Sequence, residues 1–245
     1  MNKTSLYVSI VALLVSGAAL FYASEKNTVK STAPSLDVAE LANALYNNPQ
    51  MVVDALQQYE NIQREAQAKE AARLFMENIE ELNNDPNTPF VGPEDAKVVL
   101  VEFFDFSCGY CKRLAPTVEA IVKANPDVKV VFKPITFVAP ISKYAAQAAL
   151  AAGEQGKFME MYTVLLGSQE RLDEKKIDEM AKKLGLDMDK YEQDVKSQKV
   201  QDTIKGVSQL GNKVQVHGVP ALILNGQQLN TIDPEGIQAE INKLK

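Results

Sequence analysis

The sequence predicts an α/β domain with an inserted helical subdomain, preceded by an N-terminal α-helical segment that serves oligomerisation. Three observations predict it. An apolar run, Lys97 to Asp105, feeds through Phe106-Ser107 into Cys108-Gly109-Tyr110-Cys111 and then into helical spacing. A long stretch of helical pattern separates the second strand from a hairpin signal at Asn225-Gly226. Ahead of both lies a helical region free of strand signals.

Composition bounds the function. The 245 residues are 46% apolar and 24% charged, enough for one or two domains with a real core and too apolar for wholesale disorder. The net charge is −6 and no basic tract occurs. A nucleic-acid surface needs clustered Lys and Arg to displace counterions, so nucleic acid is excluded as a partner. Both cysteines lie in one CxxC, so a bridge within one chain is the local one, and its value is chemical rather than architectural.

Lys3 precedes an apolar run from Leu6 to about Ala23, broken only by small polar residues. A positive start followed by an apolar stretch is a signal-sequence pattern. Residues 1–24 read either as a cleaved signal peptide, with small residues at Ser16-Gly17-Ala18, or as a retained membrane anchor, since the run nears the ~18 residues of a spanning helix. Both versions export the CxxC to a compartment, the periplasm, where disulfides persist.

Residues 25–34 are a polar spacer. Val38, Leu41, Ala42 and Leu45 recur at helical spacing and stop at Asn47-Asn48-Pro49. A second helix is expected from about Gln50 to Leu82, with Val52, Leu56, Tyr59, Ile62, Ala66, Leu74, Phe75 and Ile79 as its apolar positions. Such a segment either packs on its own domain, stands as a solvated stalk, or joins copies of the chain. Its length and stripe, ahead of a complete α/β domain, favour oligomerisation through residues 36–82. The domain boundary is placed between residues 86 and 87.

The α/β part opens with a strand apolar on both faces, hence central. Cys108 then falls at the join of that strand and a helix. Only a thiolate attacks a disulfide, and the unpaired N–H groups of a first helical turn favour negative sulfur; thiols in such motifs titrate at roughly 3.5–7.5. Cys111 follows three residues later on the same helical face and can resolve a mixed disulfide. Two thiolates are also half of a tetrahedral zinc site, but the chain has one histidine, His217, and no second cysteine pair. Glu102 lies in the middle of the Val98–Phe104 run. A place at a sheet edge would leave it merely solvated. Apolar neighbours on both sides favour burial, which raises its pKa and lets it accept a proton from Cys111.

The segment Phe103-Phe104-Asp105-Phe106-Ser107-Cys108-Gly109-Tyr110-Cys111-Lys112 resembles the active site of the DsbA-like branch of the thioredoxin superfamily. That family carries an acidic residue six positions before the first active-site cysteine, where this chain has Glu102. The resemblance runs over roughly residues 88–245. The leading helices resemble the oligomerisation segments of ScsC-type DsbA-like proteins. The family implies a thioredoxin fold and a thiol–disulfide oxidoreductase with no cofactor beyond the Cys108–Cys111 redox pair. It also implies exported protein substrates and a membrane redox partner, DsbB-like or DsbD-like. Gly109-Tyr110 replaces the Pro-His of the best-known oxidase and is expected to tune the potential, leaving the direction of exchange open.

A helical insertion at about 140–211 follows a second strand, Val128 to Phe132. Pro140 to Gly153, Phe158 to Leu166, a helix capped by Asp173 and stopped by Gly185, Asp187–Ser197 and Val200–Leu210 are its expected helices. The stretch Val216–Leu224, Asn225-Gly226 and Gln227–Leu229 make a hairpin, and Asp233-Pro234 caps a last helix. Most X–Pro bonds are trans. The resemblance instead implies a cis bond before Pro220, beside the cysteines, with Val219 offering its backbone to substrate. His217 is left outside the catalytic set.

The function expected is a periplasmic oxidoreductase, a homodimer or homotrimer, that isomerises or forms disulfides in exported proteins. Alternatives are a monomeric disulfide oxidase, a copper metallochaperone using the same thiolates, and an interaction protein with incidental thiols. Tight copper binding without exchange activity marks the metallochaperone. Full function of Cys108→Ser marks the interaction protein.

Overall fold

The computed structural model describes residues 37–245. The expected signal peptide or anchor over residues 1–24 lies outside the described residues. Two compact units are present, one through Gln58 and one from Tyr59 to Lys245. The first holds α1 (Val38–Asn47) and the start of α2 (Pro49–Glu77). Asp37 caps α1 by accepting from the Ala39 amide at 2.9 Å, and no residue of α1 is buried. Among the described residues no helix is long and apolar enough to cross a membrane.

The second unit takes in the end of α2, then α3 (Ile79–Asn84), β1 (Phe90–Val91), β2 (Val98–Phe104), α4 (Gly109–Ala124) and β3 (Val128–Pro134). The insertion follows as α5 (Pro140–Gly153), α6 (Phe158–Gly167), α7 (Glu174–Lys183), α8 (Met188–Val195) and α9 (Gln198–Lys213). It closes with β4 (Ala221–Leu224), β5 (Gln227–Gln228) and α10 (Pro234–Asn242). The sheet order is β1-β3-β2-β4-β5; β2 and β3 are parallel and every other pairing is antiparallel.

Strand β2 is central and wholly buried because successive side chains serve opposite cores. Leu100 and Phe104 join the core under α4, α5, α6 and α10, whereas Val99, Val101 and Phe103 join a core with Phe75, Leu82, Val207 and Leu210. The hairpin turn closes beside it. Asn225 and Gly226 both take positive φ, 46° and 80°, as a two-residue type I′ turn requires. The Asn225 side chain accepts from the Val99 amide at 2.7 Å and donates to the Lys97 carbonyl at 3.0 Å.

The leading region differs from its expected form in three ways. The second helix breaks at Asn78, whose amide side chain donates to the Leu74 carbonyl at 2.7 Å. Phe75 and Leu82 are core residues of the second unit, so the expected boundary at residues 86/87 falls inside that unit. The segment from Glu81 to Glu94 is clamped by two buried lysines of β3. Lys133 donates to the Glu81 carbonyl and the Thr88 hydroxyl, each at 3.1 Å, and Lys129 to Asn84 at 3.0 Å.

The insertion keeps the expected elements with small shifts at their ends. Asp187 and Ser197 lie outside their helices as N-caps, accepting from Lys190 and Val200 amides. β4 is shorter than the expected run, because Val216 to Pro220 forms a loop. β1 was not expected, and it runs into an intolerant glycine. Gly92 has φ 99°, and a Cβ there would stand 2.1 Å from the Val128 carbonyl oxygen.

Candidate active site

The site forms where β2 ends and α4 begins. Cys108 is the N-cap of α4, in extended backbone at φ −77° and ψ 120°, and its Sγ accepts from the Cys111 amide at 3.4 Å. The helix thus turns its unpaired first-turn amides toward that sulfur. Cys111 lies one turn on, fully buried, and both are free thiols. The Val219–Pro220 bond is cis, and the Cys108 thiol donates to the Val219 carbonyl at 3.4 Å. The structure therefore brings Cys108, Cys111, Val219 and Pro220 together. Gly109 and Tyr110 lie on the outer surface of the first turn, with the Arg113 guanidinium 4.2 Å from the Tyr110 ring centre. His217 is exposed in the loop before Val219.

Glu102 is buried, as its place in an apolar run suggests, in register with Phe132 and Leu222 on the flanking strands. Its Oε2 accepts from the Tyr162 hydroxyl at 2.9 Å, while Oε1 has no partner. Burial pushes its pKa up to about 8, and the Tyr162 hydrogen bond pulls the other way. Burial also pushes the Cys111 thiol well above its ordinary value; hydrogen bonding from the Asp105 backbone opposes this, and the charges of Cys108 and Glu102 add to it.

The raised Glu102 pKa makes stability depend on pH. Between 4.5 and about 8 the folded chain keeps a proton that the unfolded chain releases. This contribution is full below pH 4.5 and lost as pH rises to about 8. Its slope is about 1.4 kcal/mol per pH unit. Glu102→Gln is expected to remove that slope, so urea unfolding at pH 5 and pH 8 should show wild type losing more stability than the variant. Parallel losses would place the Glu102 carboxyl near its ordinary value.

Two site residues escaped sequence reading. Tyr162 comes from α6, and no local pattern marks a partner for Glu102 so far along the chain. Asp105 had a signal, an acid at the end of an apolar strand three residues before Cys108. It is fully buried, accepting from the Ser107 amide at 2.7 Å, the Ser142 hydroxyl at 2.6 Å and the Val138 amide at 3.0 Å. Those bonds fix the turn that carries Cys108.

Two clefts border the motif. One of about 810 Å³ opens beside Ser107 and Lys112, between Pro140 and the 170–176 segment. A smaller one of about 440 Å³ runs along Gln215 to Ala221 and Gln228, where Val219 and Pro220 lie.

A dithiol at the N-cap of the helix after a central strand, faced by a cis X–Pro bond, defines a thioredoxin-fold protein of the CxxC class. Within that class, the chain belongs to the DSBA-like thioredoxin domain family, whose model matches residues 99–242. It is similar to a thioredoxin-like oxidoreductase of Silicibacter pomeroyi, at 30% identity and TM-score 0.63, over 67% of this chain and 95% of that one. A linker-deletion mutant of Proteus mirabilis ScsC is 25% identical at TM-score 0.68, over 87% of this chain and 98% of that one. Among curated proteins, the Na(+)/H(+) antiporter NhaA 3 of Salinispora tropica is 33% identical over 147 residues, 59% of this chain. The chain spans 22% of that antiporter's length.

Proposed function

We propose that the chain is a thiol–disulfide oxidoreductase acting on exported proteins in the periplasm, assembled as a homodimer or homotrimer and able to isomerise disulfides. The observation that carries the reading is Cys108 at the N-cap of α4 with its sulfur against the Val219 carbonyl. Cys108 attacks a substrate disulfide, one substrate sulfur leaves as thiolate, and the other stays bound to Cys108. Cys111 or a second substrate thiol then releases it. The backbone of Val219, beside Pro220, holds the substrate chain along the adjacent cleft. Gly109 and Tyr110 tune the exposed edge of the pair. A membrane redox partner, DsbB-like if it oxidises and DsbD-like if it reduces, resets the dithiol.

Assembly is supported by an unburied stripe. Val38, Leu41, Leu45, Val52, Leu56, Tyr59 and Ile62 are all exposed in the single chain. Exposed apolar side chains in such a row mark an interaction surface, and several dithiols around one space suit the reshuffling of wrong pairings. The signal-like pattern of residues 1–24 supports export.

Refolding of scrambled ribonuclease, with mass measured in solution, tests the reading. The chain from Glu25 is compared with one starting at Tyr59, since a cut after Asn84 would remove the core residues Phe75 and Leu82. Joint loss of isomerase activity and oligomeric mass is expected on truncation. An active truncated form, or a monomeric longer one, would make the leading segment a tether and simple oxidation the function.

A further inference from the structure

Cys111 has to lose a proton before it can release a substrate, yet it is fully buried and its thiol is held well above the usual range. A base must stand close by. Glu102 has the proximity, because it shares the face of β2 with Leu100 and Phe104, whose core includes Cys111, and it has one oxygen free of hydrogen bonds. The other oxygen is held by Tyr162.

We propose that Tyr162 is a positioning residue for proton transfer at Cys111. Its hydroxyl occupies Oε2 of Glu102 and so leaves Oε1 as the atom that takes and returns the Cys111 proton. The inference rests on the disulfide-exchange reading above.

The ring of Tyr162 has no freedom to do otherwise. It is fully buried and packs at steep angles against Phe104 and Phe132, with ring centres 5.2 and 5.1 Å away, and against Phe106 at 6.4 Å. A phenylalanine would fill this cage equally well, so the hydroxyl's use is its bond to Glu102. The pair is electrically secluded. Strands β3 and β4 bring Phe132 and Leu222 opposite Glu102, and helix α4 brings Cys111. Glu119 of α4 acts on the Tyr162 hydroxyl. Lys129 and Lys133 turn to the other face of the sheet, toward Asn84 and Glu81. With one donor on two acceptor atoms, the unpaired oxygen is the more basic.

The step balances without an added oxidant. In the mixed disulfide, the Cys111 proton passes to Oε1 and the Cys111 sulfur attacks the sulfur of Cys108. A bond forms between the two cysteines, the bond from Cys108 to substrate breaks, and its electron pair leaves on the substrate sulfur. The substrate is reduced and the dithiol oxidised.

The test uses Tyr162→Phe in the chain from Glu25. The rate of release from a preformed Cys108–peptide mixed disulfide is followed against pH, and the Glu102 carboxyl is titrated by carbon NMR. Losing a hydrogen bond to the charged form should move both midpoints upward by roughly one to two pH units. Release at pH 7 should slow about tenfold or more. In a Glu102→Gln background, Tyr162→Phe should add no further slowing. Unmoved midpoints, or equal slowing in both backgrounds, would overturn the proposal and make Tyr162 packing alone. If Tyr162→Phe does not fold, the wild-type titration decides. A slowly exchanging Tyr162 hydroxyl proton whose NMR signal follows the Glu102 titration supports the proposal, and a rapidly exchanging one indifferent to that titration overturns it. A wild-type chain that performs no exchange, and that Cys108→Ser leaves unchanged, would sink the parent reading instead.

Discussion

Cys111→Ser is expected to stop the protein at a covalent adduct with its substrate, whereas Cys108→Ser forms none and loses all exchange. The asymmetry follows from placement. Cys108 is the residue at the mouth, with its sulfur on the Val219 carbonyl, and Cys111 lies beneath it with no exposure. An incoming disulfide meets Cys108, and an internal bridge then needs Cys111 to attack from behind. With serine at 111 the mixed disulfide has no internal exit. Incubation with an oxidised peptide should therefore add one peptide mass to Cys111→Ser, reversible by reductant, and nothing to Cys108→Ser. An adduct on Cys108→Ser would make Cys111 the attacking residue and reverse the assignment. Turnover in ribonuclease refolding should fall to the uncatalysed background in Cys108→Ser, because the thiolate is the nucleophile and serine does not ionise at neutral pH.

What the sequence disclosed and what it hid divide along the distance over which each signal acts. Helix ends were legible because caps are local. Asp173 and Asp233 each accept an amide three residues on, and Pro140 takes the first helical position of α5. The Asn225-Gly226 turn was legible because few other residues accept two successive positive φ values. Burial of Glu102 was legible because both faces of β2 are apolar. The cis bond before Pro220 came from resemblance, since composition argues for trans. Hidden were the contacts that the chain makes with remote parts of itself. Nothing around Phe75 and Leu82 says that they pack beneath β2 rather than continue an exposed stripe. Asn78 carries no obvious break signal, being polar in a largely polar helix. Tyr162 reads as an ordinary apolar position of α6, and its hydroxyl gains meaning from a carboxyl on β2.

Asp105 gives the second large effect, and it falls on stability first. Its carboxyl joins three parts of the chain: the turn before Cys108 through the Ser107 amide, the loop after β3 through the Val138 amide, and α5 through the Ser142 hydroxyl. Ser142 also bonds Ser107 and the Ala139 amide, so the network ties the start of α5 to the turn before Cys108. Asp105→Ala would leave two half-buried amides and the buried Ser142 hydroxyl without their acceptor, at a cost of about 3–5 kcal/mol. Asp105→Asn keeps one oxygen for two of the donors but turns an NH₂ group toward a third, so its loss should be smaller, about 1–3 kcal/mol. Urea unfolding at pH 7 measures both. A wild-type midpoint for Asp105→Ala would mean that water enters and replaces the carboxylate. The same network fixes Ser107, and through it the turn that delivers Cys108 to the helix N-terminus. Exchange activity of folded Asp105→Asn should therefore fall along with stability, whereas a core truncation such as Ile241→Ala, remote from the turn, should lower stability and leave exchange intact.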